Sequence, residues 1–177
     1  MTEKFTFFWH GPLSQWAVSP FRFNGILFRT AEQFMMFFKA VLFEDYDVAG
    51  KIMEAVSPKE QKGLGRTVKN FNFDVWSKVA RDLVYVGNYC KFTQDVKFNE
   101  ILLETKGTTL VEASPYDKIW GIGLSEDSPF ALMRSTWNGK NWLGETLTKV
   151  REDILYAQVN NGAFTLAKEL LGRYKDE

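Results

Sequence analysis

Glu32 and Lys39 stand seven residues apart in "TAEQFMMFFKAVLF" (30–43), a stretch otherwise rich in Met and Phe. On an α-helix that spacing is two turns less about 20°, so both side chains share a face, about 10 Å apart along the axis. The gap is too long for an i,i+4 ion pair. Two readings are open. Either this face meets solvent and Met35 and Met36 are incidental, or the charges line a pocket walled by Phe34, Phe38, Leu42 and Phe43. In the second case, a lysine in an apolar wall has a depressed pKa and can attack a sugar or carbonyl carbon.

"LVEASPYDKIWGIGL" (110–124) holds a second set. Glu112 falls on an expected strand, Asp117 follows a Pro turn, and Trp120 precedes Gly121 and Gly123. Two carboxylates near a turn, an aromatic platform and pliant backbone suit a sugar or a base. A plain hairpin with solvent-facing charges would use the same residues. In "KGLGRTVKNF" (62–71), Gly63, Gly65 and Arg66 can receive a phosphate, although a helix stop is the commoner meaning. In "WNGKNWLG" (137–144), Asn138, Lys140 and Asn141 either contact a polar ligand at a helix start or form an Asn-Gly turn and an Asn cap. Local grounds favour the turn and cap. His10, after "FFW", is a general base or a packed or solvated strand-end residue. The lone Cys90 and the lone His10 exclude an intramolecular disulfide and a Cys/His zinc site. A Cys–His pair stays formally open, but Cys90 in "GNYCKF" reads as a small buried residue.

The elements that must position these residues follow from pattern. "FTFFWH" (5–10) reads as a strand. "FRFNGILFR" (21–29) reads as a hairpin turning at Asn24-Gly25, with Thr30 as N-cap of the helix after it. A helix over 45–56 precedes "SPKE" (57–60), a capping box with Pro at the first helical position, whose helix stops near Gly63 or Gly65. Apolar spacing predicts helices over about 74–91 and 95–107, the latter closed by Gly107. "TTLVEAS" (108–114) is expected to pair with 117–124 across the Ser114-Pro115 turn. A helix carrying Leu143, Leu147, Val150 and Ile154 and a last amphipathic helix over 162–177 complete the chain. The fold class expected is α+β, mostly helical, in a single domain with a small β-sheet.

Composition agrees. The 177 residues can bury a sizeable core, and 45% apolar with 16% aromatic content marks a folded chain. Acidic and basic residues number 22 each. That balance disfavours a generic phosphate-neutralising nucleic-acid binder while permitting a local basic pocket. No apolar run approaches the roughly 18 residues of a membrane span, and "MTEKF" lacks a signal-peptide shape. The expectation is a soluble protein of a reducing compartment, most simply cytoplasmic, with no membrane partner.

Taken in order, "PLSQWAVSPFRFNGILFRTAEQFMMFFKAVLF", "LGRTVKNF", "KFTQD", "LLETKGTTLVEASPYDKIWGIGL" and "WNGKNWLGETLTKVRE" resemble the NADAR, or YbiA-like, family. The resemblance runs from about Phe7 to Ile154. It implies a NADAR/YbiA-like domain over 1–155 and a C-terminal helical extension over 156–177. Two departures, Asp95 ending "KFTQD" and the residue before Ser19, touch none of the proposed chemistry.

The family includes N-glycosidases and ADP-ribose-related hydrolases that cut a C1–N bond of a phosphorylated ribose. The resemblance therefore implies a substrate that is either a small ribosylated molecule, such as a riboflavin-pathway intermediate, or ADP-ribosylated guanine in nucleic acid. Carried over residue by residue, it implies Lys39, Glu112, Asp117 and Glu32 as catalytic. It implies Arg66, Trp120, Gly121, Gly123, Asn141 and Trp137 as substrate-binding, with no metal and no cofactor. Arg66 would hold phosphate, Glu32 would position Lys39 or a ribose hydroxyl, and Trp120 or a Phe would stack on the base. The rival readings are a non-catalytic ADP-ribose or nucleotide-binding module and a structural interaction protein.

Overall fold

In this computed structural model, which describes residues 2–177, the elements fall into two compact units. One comprises Gln15–Asp95 and Asn160–Glu177. Its hairpin forms as the sequence predicts. Asn24 and Gly25 both take positive φ, 46° and 82°, joining β2 (Phe21–Phe23) to β3 (Ile26–Phe28). Thr30 then caps α1 (Ala31–Leu42), its Oγ1 accepting the Gln33 N–H. Phe21, Phe23 and Phe28 bury their rings against Phe34, Phe37 and Phe38 of α1. The Phe28–Phe34 and Phe34–Phe38 centroids lie 4.9 and 4.6 Å apart. Each such pair is worth about 0.5–1.5 kcal/mol beyond area burial.

Gln33, inside this aromatic core, is paired with backbone. It accepts the Arg29 N–H and donates to the Ile52 carbonyl at the end of α2 (Tyr46–Glu54). Ser57 caps α3 (Pro58–Gly65) by accepting the Glu60 N–H, as the capping box predicts. The 22-residue helix α4 (Phe73–Gln94) packs on α1 where Gly87 admits the Phe34 ring; a Cβ there would lie 2.7 Å from it. The last helix, α7 (Asn161–Lys175), packs on α4 and α1 through Ala163, Ala167, Leu170 and Leu171.

The other unit comprises the residues up to Ser14 and Val96–Val159. Here one expectation fails. Strand β4 (Thr109–Glu112) pairs in parallel with β1 (Phe5–Phe8), and 117–124 is not a strand. The cause is local hydrogen bonding that competes with a ladder. Ser114 Oγ accepts the Tyr116 and Asp117 amides, and Asp117 Oδ1 accepts those of Ile119 and Trp120. The small sheet is thus two separate two-stranded pairs among the described residues. Helices α5 (Val96–Glu104) and α6 (Trp142–Leu155) complete this unit. Buried Arg151 of α6 donates to the Thr105 and Thr108 carbonyls and so fixes the turn into β4. Val111, Ile122 and Ala131 form one buried cluster of this unit, with Phe5, Phe7, Leu124 and Trp137 packed against them. No helix among the described residues is long and apolar enough to cross a membrane.

Lys91 of α4 is fully buried, and burial pushes its ammonium from the usual 10.5 down to about 7. The folded value lies below the unfolded one, so the unfolded chain binds more protons between them. Stability should therefore rise with pH from about 7 towards 10.5. Replacing Lys91 with Met removes that dependence. Thermal melts should show the gain of Lys91→Met over the parent to be larger at about pH 6 than at about pH 10.

Candidate active site

Lys39 occupies the last turn of α1 and is half-buried. Its Nζ donates to the Gly65 carbonyl at 2.8 Å, at the carboxyl end of α3, and stands 4.3 Å from the centroid of Phe71. A cation there meets the negative end of a helix dipole and an aromatic face. Gly65 makes the approach possible, because a Cβ at that position would collide with the Met36 side chain. The glycine thus serves close helix packing, and the exposed Arg66 follows as the C-cap of α3.

Burial lowers the Lys39 pKa below its usual value; the Glu32 charge opposes this and the Arg66 charge adds to it. The structure therefore brings Glu32 and Arg66 each within electrostatic reach of Lys39. At its Glu32 end this face does not meet solvent. Glu32 is only 5% exposed, and Met35 and Met36 are buried beside it. Glu32 lies in the first turn of α1, where a carboxylate is favoured. Its backbone N–H donates to the Gln15 carbonyl at 3.0 Å, and the Gln15 side chain accepts from Asn88 Nδ2 at 2.7 Å. Gln15 and Asn88, which link the start of α1 to α4, escaped the sequence reading. The available signal was Asn88 itself, an amide inside the apolar "YVGNYC" run.

In the other unit Glu112 ends β4 and is half-buried. Its backbone is clamped at both ends: the N–H donates to Asn141 Oδ1 and the carbonyl accepts from Ile122, each at 3.0 Å. Asn141 is fully buried with left-handed backbone (φ 55°), and its Nδ2 also donates to the Leu110 carbonyl at 3.0 Å. One side-chain amide thus fills two of the ladder positions that a third strand would occupy, and Thr148 Oγ1 and the Ile122 N–H fill the others. Gly144 leaves room for it, since a Cβ there would strike the Leu110 carbonyl and Asn141.

The two expected motifs interlock. Backbone N–H groups of Asn138, Lys140, Asn141 and Leu143 donate to the carbonyls of Ile122, Lys118, Gly121 and Trp120. Gly139 presses on Gly121, whose own Cβ would lie 3.0 Å from the Glu112 and Asp117 carbonyls. Gly123 takes positive φ, 67°. Trp137 donates from Nε1 to the Ala131 carbonyl and packs on Phe5. Gly121, Gly123, Asn141 and Trp137, expected to touch substrate, therefore have tasks within the chain. Asp117 spends Oδ1 on two amides, and half-buried Trp120 meets Trp142 edge-on at 5.6 Å. Cys90 is buried and its thiol is pushed up to about 12, which removes it as a nucleophile. Among the described residues, no three of His, Cys, Asp and Glu group as metal ligands.

The NADAR domain model matches residues 6–155. The chain belongs to the NADAR family. It is 43% identical over 166 residues to an N-glycosidase of Acanthamoeba polyphaga mimivirus, covering 86% of this chain and 97% of that one. An N-glycosidase of Nostoc punctiforme is 29% identical over 87% of this chain and 93% of its own length. The chloroplastic riboflavin biosynthesis protein PYRR of Arabidopsis thaliana is 33% identical over 62% of this chain, which spans only 17% of that protein. The NMR structure of the E. coli protein YbiA superposes with a TM-score of 0.71 at 25% identity, over 89% of this chain and 88% of that one. The mostly helical α+β fold is YbiA-like, and this NADAR chain is a hydrolase of the N-glycosidase class.

Loss of the Asn141 amide leaves the Glu112 N–H and the Leu110 carbonyl buried without partners. Asn141→Ala should cost about 1–3 kcal/mol for each group left unsatisfied, read as a lower urea midpoint.

Proposed function

We propose that this NADAR chain hydrolyses the C1–N bond between a phosphorylated ribose, either ADP-ribose or ribose 5-phosphate, and a nucleobase-type amine. ADP-ribosylated guanine and a riboflavin-pathway intermediate are the two substrate classes. The observation that carries the reading is Lys39: half-buried, its Nζ fixed on the Gly65 carbonyl, its pKa lowered by burial, and Arg66 within electrostatic reach. That is an amine tuned for attack on a carbonyl-type carbon, with a guanidinium able to take a phosphate. The names of the N-glycosidase relatives support the N-glycosidic bond, and that of the riboflavin-biosynthesis relative supports the riboflavin-pathway amine as one of the two candidates.

In this account the sugar ring opens and the Lys39 lone pair adds to C1. The C1–N bond breaks and the amine leaves with a proton, giving a C1–Nζ imine. Water adds to C1 and the C1–Nζ bond breaks, returning free Lys39 and the sugar phosphate. Buried Glu32 holds Lys39 in place through charge. The family resemblance implies Glu112 and Asp117 for proton transfer; within their own unit Asp117 has committed an oxygen to two amides, which leaves Glu112 for that role and Asp117 as a positioning residue. Trp120 flanks this carboxylate loop.

A side-by-side assay of ADP-ribosylated guanine DNA and a ribosylated riboflavin-pathway amine, read as released sugar phosphate, decides the substrate. Lys39→Ala should abolish release with the circular dichroism spectrum unchanged; full activity in that variant would sink the assignment. Attack needs the neutral amine, so kcat/KM should climb with pH along a limb whose midpoint lies below 10.5. Glu112→Gln should lower kcat by about 10²–10⁴-fold. Asp117→Asn, which keeps the Oδ1 acceptor, should lower it far less.

A further inference from the structure

Trp9, His10 and Tyr116 form a ledge of exposed rings that no step above uses. Trp9 is 38% exposed and Tyr116 85% exposed, and His10 is also on the surface. The Trp9 and Tyr116 centroids are 5.8 Å apart with planes tilted by 47°, while His10 stacks on Trp9 at 4.6 Å and 28°. We propose that this ledge is a binding subsite for a planar heteroaromatic ring, and that it stacks the leaving base of the substrate.

Position is the first argument. Phe8 and Glu112 face each other at the ends of the parallel pair β1 and β4, and the Ala113 N–H donates to the Phe8 carbonyl at 2.8 Å. Trp9 is the next residue out of β1, and Tyr116 lies in the turn that leaves β4. The ledge therefore stands just beyond the carboxyl ends of the two parallel strands, next to the end of β4 that carries Glu112. Tyr116 lies on the segment that begins directly after Glu112.

Rigidity is the second argument. Ser114 is buried and its Oγ accepts the Tyr116 and Asp117 amides at 3.3 and 3.2 Å. Asp117 Oδ1 accepts two further amides downstream. A large ring held out on a loop fixed at both sides forfeits apolar burial in the free protein, and it loses little freedom when a ligand covers it. Two tilted rings offer π-faces that any base can stack on, and the imidazole of His10 adds a polar edge. Trp120, the earlier candidate for stacking, is half-buried and edge-on to Trp142, and its carbonyl is taken by the Leu143 N–H.

Calling the stacked ring the leaving base rests on the N-glycosidase reading; the ledge itself does not. Guanosine binding to the full chain, followed by NMR titration, should be weakened roughly 5- to 150-fold in the Trp9→Ala/Tyr116→Ala double variant, with the thermal midpoint retained. Trp120→Ala should leave guanosine binding within about twofold of the parent. The proposal is overturned if the parent does not bind guanosine, if the double variant binds it as the parent does, or if Trp120→Ala carries the loss. It is equally overturned if the double variant changes the sedimentation of the free protein, which would make the ledge a contact between copies. On a substrate that the parent turns over, the double variant should raise KM with kcat little changed. Ledge-dependent guanosine binding in a parent that releases no sugar phosphate would refute the hydrolytic reading and leave the subsite standing.

Discussion

The hydrogen bond from Lys39 Nζ to the Gly65 carbonyl is the constraint on which the proposed chemistry depends. It requires α1 and the end of α3 to approach more closely than any side chain at position 65 would allow, since Met36 already fills that space. The aromatic core seats α1, the Thr30 and Ser57 caps start α1 and α3, and the Gln33 contacts hold the end of α2. All of these place one amine. Burial makes that amine a better nucleophile by disfavouring its charged form, and the Gly65 carbonyl and the Phe71 face keep it oriented. The Glu32 charge opposes that shift and the Arg66 charge adds to it.

The other unit reaches a comparable result with an amide. Asn141 pairs with two of the backbone groups that β4 turns away from β1, and Thr148 Oγ1 and the Ile122 N–H take the other two, so the strand needs no third neighbour. Glu112 is fixed by its own backbone: N–H to Asn141, carbonyl to Ile122. The glycines of the two motifs let the loops that provide these contacts lie against each other. A motif rich in Gly, Asn and Trp invites a ligand reading. Here much of it is spent on keeping one carboxylate in place.

Local signals were legible in the sequence. The Asn24-Gly25 turn, the Thr30 and Ser57 caps and the helical periodicities each depend on residues within a few positions, and they appear as read. The shared face of Glu32 and Lys39 also followed from spacing alone. The partner of β4 was not legible, because β1 lies about a hundred residues earlier and hydrophobic pattern does not name a strand's neighbour. Neither was the task of Asn141, which depends on a left-handed backbone and on β4 lying beside it. Gln15 and Asn88 were missed for the same reason: their hydrogen bond spans 73 positions. Residues such as Gly65 showed their type but not their purpose, since a helix stop and a close helix contact call for the same amino acid.

The covalent role of Lys39 is the claim on which the mechanism turns. Borohydride added during turnover reduces a C1–Nζ imine to a stable secondary amine, and peptide mass analysis locates it. The account predicts one sugar phosphate adduct, on Lys39, absent from the Lys39→Ala variant. A protein that turns over substrate under borohydride with Lys39 unmodified would contradict it.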